Sequence, residues 1–109
     1  MNPREKEALA VLGYFFLSHR KAEKARTLFK ALVALFPEEA RFAESLSYAY
    51  LMTGEYERSL AAAEDYLLLE KERKRQALGY LLKTLAYRSL GEEENACECL
   101  NAYLVSIRK

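Results

Sequence analysis

The feature that most narrows what this chain can fold into is a short turn phrase that recurs. Its clearest copy is Thr53-Gly54-Glu55-Tyr56-Glu57-Arg58-Ser59-Leu60. Gly54 supplies the left-handed backbone that commonly ends a helix. Tyr56 is a large anchor, and Ser59 is small enough for close helix contact. Related phrases stand upstream, at His19-Arg20-Lys21-Ala22-Glu23-Lys24-Ala25, and downstream, at Leu90-Gly91-Glu92-Glu93-Glu94-Asn95-Ala96. Arg20 and Gly54 are 34 positions apart, and Gly54 and Gly91 are 37 apart. A turn recurring at nearly constant spacing describes an array of helical hairpins.

The residues between the turns suit this. Ala, Leu, Glu, Lys and Arg dominate, all good helix formers, and only two prolines and four glycines interrupt them. In the first stretch, Leu9, Leu12, Gly13 and Phe16 recur at helical spacing from Lys6 to Ser18, and Pro3 fits a first helical turn. The second turns Ala25, Phe29, Leu32, Val33 and Leu35 inward and stops at Phe36-Pro37, because proline disfavours helix in the residue before it. The third carries Ala43, Leu46, Ser47 and Tyr50, and ends at Gly54. The fourth starts near Tyr56 with Ser59, Leu60, Ala63, Tyr66 and Leu67 inward, and runs into the charged stretch from Leu69 to Gln76. That stretch reads as a solvated helix end or linker and holds the three extra residues of the second spacing. The fifth spans roughly Gln76 to Leu90, with Tyr80, Lys83, Thr84 and Tyr87 at the repeat positions. The sixth holds Ala96, Leu100, Tyr103 and Leu104.

The bulk properties exclude several classes. With 109 residues, 51% of them hydrophobic, the chain supports one domain with a modest core. A formal net charge of +1 gives no basis for binding nucleic acid or an anionic membrane. The charged start, Met1 to Glu7, lacks the apolar core of a signal peptide, and no apolar run reaches membrane-spanning length. A soluble cytoplasmic protein without membrane insertion is expected. Cys97 and Cys99 point about 200° apart on a helix, a poor geometry for a mutual disulfide or shared metal. Both are expected to be buried, reduced thiols. His19, the one histidine, lies in a turn with no nucleophile motif around it. The carboxylates alternate with Lys and Arg as on solvated helix faces, and there is no glycine-rich phosphate loop. No enzyme activity, metal or cofactor is expected.

These residues resemble the tetratricopeptide repeat. The first repeat supplies Leu9, Leu12-Gly13, Phe16, Ala25, Phe29 and Pro37, with Arg20 in place of the turn glycine. The second supplies Leu46, Tyr50, Gly54, Tyr56 and Ser59, with Ser47 for the packing glycine. The third supplies Tyr80, Tyr87, Gly91, Ala96 and Leu100, with Lys83-Thr84 where Leu-Gly is usual. The resemblance implies an all-α fold: three tetratricopeptide-like hairpins, six antiparallel helices, stacked as a short right-handed solenoid. One domain over 1–109 would hold repeats at about 6–37, 38–74 and 75–108. The run from Leu12-Gly13-Tyr14 through Ala22-Glu23-Lys24-Ala25 to Phe36-Pro37-Glu38 further resembles the small SctY (YscY-type) chaperones of bacterial type III secretion. That resemblance implies a cytosolic heterodimer with a small secreted partner, SctX, and delivery to the export-gate protein SctV. A chaperone for the needle subunit or another secretion client, and a general scaffold for protein interactions, are alternatives of the same fold.

In such a stack the first helix of each hairpin lines the concave face. The turn register then assigns the partner-binding residues. The first hairpin gives Ala10, Tyr14 and Leu17. The second gives Arg41, Glu44, Tyr48, Leu51 and Met52. The third gives Leu78, Leu81, Leu82, Leu85 and Arg88. The set is apolar for a wet surface, which fits an amphipathic helix or extended apolar segment of a protein partner. It also lacks the Lys, Asn and Arg that a carboxylate clamp needs. Three hairpins without a polar capping helix are near the minimum for stability, so marginal stability or self-association is expected of the isolated chain.

Overall fold

A computed structural model describes residues 1–108. Six helices follow in order: α1 (Pro3–Ser18), α2 (Ala22–Leu35), α3 (Ala40–Thr53), α4 (Tyr56–Leu69), α5 (Arg73–Ser89) and α6 (Glu93–Ile107). They pair as three hairpins. The hairpins stack through α2 on α3 and α4 on α5, with α3 also touching α5.

Each end of α1 has a local cause. The helix starts at Pro3, the residue expected in its first turn, and Asn2 caps it: Glu5 N–H donates to Asn2 Oδ1 at 2.8 Å. The turn after α1 is left-handed without glycine, with Arg20 at φ 57°, while Gly54 and Gly91 stand at φ 81° and 78°. The repeat register thus overrides the residue's own preference. A non-glycine residue in that region costs about 1–2 kcal/mol. Arg20→Gly is therefore expected to raise the unfolding free energy by about 1 kcal/mol, read from the urea midpoint. An unchanged midpoint would mean that the Arg20 side chain offsets the strain.

Small residues set how closely the helices approach. A Cβ on Gly13 would lie 2.5 Å from Phe29 Cζ, so only glycine lets the Phe29 ring lie against α1. The equivalent position in the second hairpin is Ser47, and it does more than save space. Ser47 Oγ donates to Ser59 C=O at 2.8 Å, and Ser59 Oγ donates to Ser47 C=O at 2.8 Å. This reciprocal pair joins α3 to α4 in a fully buried setting, where an unmade hydrogen bond would be costly. In the third hairpin Thr84 turns its hydroxyl back on its own helix, to Tyr80 C=O at 2.8 Å.

The main core lies between the first two hairpins. Phe29, Leu32 and Phe42 are fully enclosed, with Phe29 and Phe36 each about one ring away from Phe42, at centroid distances of 6.4 and 6.2 Å. The α4–α5 connection is tighter than a solvated linker. α4 stops at Leu69 and α5 begins at Arg73, three residues before the expected Gln76. Tyr66 Oη donates to Arg75 C=O at 2.6 Å, and Gln76 Nε2 donates to Glu70 C=O at 2.7 Å. Burial pushes the Tyr66 hydroxyl up to about 12, so it remains a donor.

Not every apolar residue at helical spacing lies inside. Leu12, Leu35, Leu100 and Leu104 are all exposed. Leu35 faces solvent because α2 ends there and the chain turns away to α3. The other three lie on α1 and α6, each of which has a neighbouring hairpin on one side only. Cys99 is buried as expected, but Cys97 is exposed, two positions round the same helix. No described helix is long and apolar enough to cross a membrane.

Candidate functional site: the face formed by the first helices

α1, α3 and α5 carry the residues assigned by the turn register. That register is physically real, because equivalent positions are neighbours. Arg41 on α3 pairs with Glu7 on α1, its counterpart one repeat earlier, and also with Glu39 at 2.9 Å. Leu51, Leu85 and Arg88 line one cleft with Tyr56 and Ser89, so the ends of α3 and α5 also meet on this side.

Along this face the side chains lie at different depths, a floor beneath an exposed row. Ala10, Glu44 and Leu81 share one register position, deep between the helices. Ala10 is completely enclosed in the core cluster. It is therefore a packing residue with no surface to offer a partner. Leu82 is also buried. It takes the register position of Ser45, which is buried as well, and so faces the preceding hairpin and not the groove. Leu17, Leu51 and Leu81 are half-buried. Tyr14, Tyr48, Met52, Leu78 and Leu85 remain, each 36–44% exposed. They run along the three first helices as a row of large apolar side chains. Tyr14 is braced from below by the Phe29 ring, at 5.5 Å between centroids.

The three charged members differ. The Arg41 guanidinium is committed to Glu7 and Glu39, whose hydrogen bonds hold its proton more firmly than usual. Arg88 is exposed, with no ion pair among the described residues. Glu44 sits in the floor with only a long contact, 3.4 Å, from the Ser45 hydroxyl. Burial raises its carboxyl above the ordinary carboxylate range. A group raised in the fold takes up its proton more readily folded than unfolded. Its charged form therefore costs stability at neutral pH, and that cost is relieved as pH falls through the raised value. Glu44→Gln is expected to raise the melting temperature at pH 7, with the gain shrinking towards pH 4. A loss of stability at pH 7 would show that the carboxylate is satisfied by solvent.

Three residues of the face escaped the sequence reading. Glu7 and Ser89 occupy the register positions of Arg41 and Met52, so counting repeats would have found them. Tyr56 carried no such signal, because it reaches the cleft from α4. Among the described residues no cluster of His, Cys, Asp or Glu has the arrangement of a metal site. His19 stacks on Phe15 at 4.0 Å and bonds through Nδ1 to Phe15 C=O at 2.9 Å, closing the end of α1.

No family model matches the chain, and no curated protein matches it. Among solved structures, it is similar to a chain of the CopN–Scc3 complex, with a TM-score of 0.86 and 22% identity over 97% of this chain. It spans 61% of the length of that chain. At this identity the likeness establishes architecture, and the chain has an all-α, three-hairpin helical-repeat fold of the tetratricopeptide type.

Proposed function

We propose that the protein is a cytosolic chaperone of bacterial type III secretion. It would hold an apolar helix or segment of a small secreted protein against the face of α1, α3 and α5, and help deliver it to the export gate. The observation that carries this reading is the row Tyr14, Tyr48, Met52, Leu78 and Leu85, large apolar side chains left half-exposed on consecutive first helices. Isolated exposed apolar residues are ordinary, but an aligned row of them marks an interaction surface. Tyrosine adds a hydrogen-bonding tip to a large contact area, and methionine adapts its shape. The first repeat's resemblance to the SctY chaperones supports the secretion context and an SctX-like client. The likeness to a chain from a structure of two associated proteins supports a fold suited to holding a protein partner.

In this reading affinity comes from apolar burial, at roughly 25 cal/mol per Å² before ordering costs. Glu44 and Arg88, the charges on the face without a partner, set the register of the bound segment. The chain acts by covering a surface that would otherwise aggregate, and no bond is made or broken. The test is co-expression with candidate small proteins encoded by neighbouring genes, followed by purification. A stable complex that keeps the client soluble is expected. A client equally soluble alone, with no co-purification, would overturn the reading.

A further inference from the structure

The two ends of the stack carry the two halves of an interface that the chain already makes inside itself. Where α2 meets α3, Phe29, Leu32, Val33 and Phe36 pack on Phe42, Leu46 and Ala49. The turns Arg20 and Gly91 are 71 positions apart, which carries the four α2 residues onto Leu100, Tyr103, Leu104 and Ile107 of α6. All four are largely apolar; among the described residues Leu100, Leu104 and Ile107 are 41–46% exposed, and Tyr103 is half-buried. Moving the α3 side back by one 34-residue repeat gives Ala8, Leu12 and Phe15 of α1, with Val11 beside them. Val11, Leu12 and Phe15 are 42–64% exposed. One end therefore presents a second-helix face that lacks the next first helix. The other presents a first-helix face that lacks the preceding second helix.

We infer that a second copy of this chain docks head to tail, with the α1 face of one copy on the α6 face of the other. Charge complementarity between the two ends favours this arrangement. Within the chain, neighbouring turns lie side by side, as the Arg26–Glu55 ion pair at 2.7 Å between the first and second hairpins shows. The α5–α6 turn and the start of α6 carry exposed Glu92, Glu93 and Glu94, and the α1–α2 turn and the start of α2 carry exposed Arg20, Lys21 and Lys24 with one carboxylate, Glu23, among them. Head-to-tail docking sets these opposite charges against each other. The size pattern is compatible: the bulk that Phe42 gives the internal interface near the start of α3 moves about two helical turns along, to Phe15, while Ala8 takes the place of Phe42. Such a contact is heterologous and does not close at two copies.

Sedimentation equilibrium on the whole chain tests this, with Phe15→Glu and Leu104→Glu as one-sided variants. Both positions are exposed, and unchanged circular dichroism would show that the helices persist. The unaltered chain is expected to gain mean mass beyond a dimer as concentration rises. Each variant alone is expected to be monomeric, since each loses one half of the contact. An equimolar mixture of the two is expected to form a dimer and stop there, because only one intact pair of faces remains. A chain that stays monomeric at all concentrations would overturn the inference, as would one variant that still dimerises alone or a mixture that does not associate.

Discussion

Phe29→Ala is expected to remove about 3–5 kcal/mol of stability, the usual cost of truncating a fully buried phenylalanine. The ring is completely enclosed, rests against Gly13, and lies between Tyr14 and Phe42. No single neighbour can fill the space, because Gly13 has no side chain and Phe42 is held by Phe36. Small domains are stable by about 5–15 kcal/mol, and a three-hairpin array belongs near the lower end. The variant should therefore unfold in urea well below the midpoint of the unaltered chain and be partly unfolded near body temperature. Circular dichroism against urea reads this directly. A loss below about 1 kcal/mol would mean that the first two hairpins do not depend on the Phe29 ring.

The second large effect concerns binding. Tyr48→Glu together with Leu85→Glu is expected to reduce client capture at least 100-fold, while helicity and melting temperature stay close to normal. Both side chains are about two-fifths exposed and lie on neighbouring first helices, so charges there remain hydrated in the free protein. A bound apolar segment would bury them without a partner, and burying an unpaired charge is strongly unfavourable. Two such sites comfortably exceed the 2.7 kcal/mol that a 100-fold loss represents. Arg41→Ala is a useful contrast. Its guanidinium is already held by Glu7 and Glu39, so capture should change little while the α1–α3 contact loosens. Equal losses in both variants would point to a general structural defect and away from a groove.

How much was readable from the residues follows from what each pattern reports. Turn spacing located all three hairpin tips, including the one at Arg20, because the left-handed position is dictated by the array and not by the local residue. Helical periodicity found an apolar face on every helix. It does not say whether another helix covers that face, and Leu12, Leu100 and Leu104 stay exposed because α1 and α6 each have an uncovered side. The same blindness put Ala10 and Leu82 in the groove. Both have the right phase to within a step, but depth depends on how close the neighbouring hairpin comes, and that is set by Gly13, Gly79 and the serines. Ser47 and Ser59 were read as spacers, since their reciprocal bonding exists only once α3 and α4 are side by side. The extra residues between the second and third hairpins were legible as a length change. Their staple through Tyr66 and Gln76 was not, because both bonds end on backbone carbonyls that no side-chain pattern marks.

The central claim is that the face of α1, α3 and α5 holds the client. Photo-crosslinking in the purified complex tests it most directly. A photoreactive phenylalanine would replace Tyr48 in one protein and Leu68 in another. Tyr48 lies on α3, while Leu68 is still more exposed, at 73%, but lies on the second helix α4, beside Pro37 and Asp65. An adduct with the client from position 48 and none from position 68 is the expected result. Crosslinking from position 68 alone would place the client on the second-helix side and contradict the assignment.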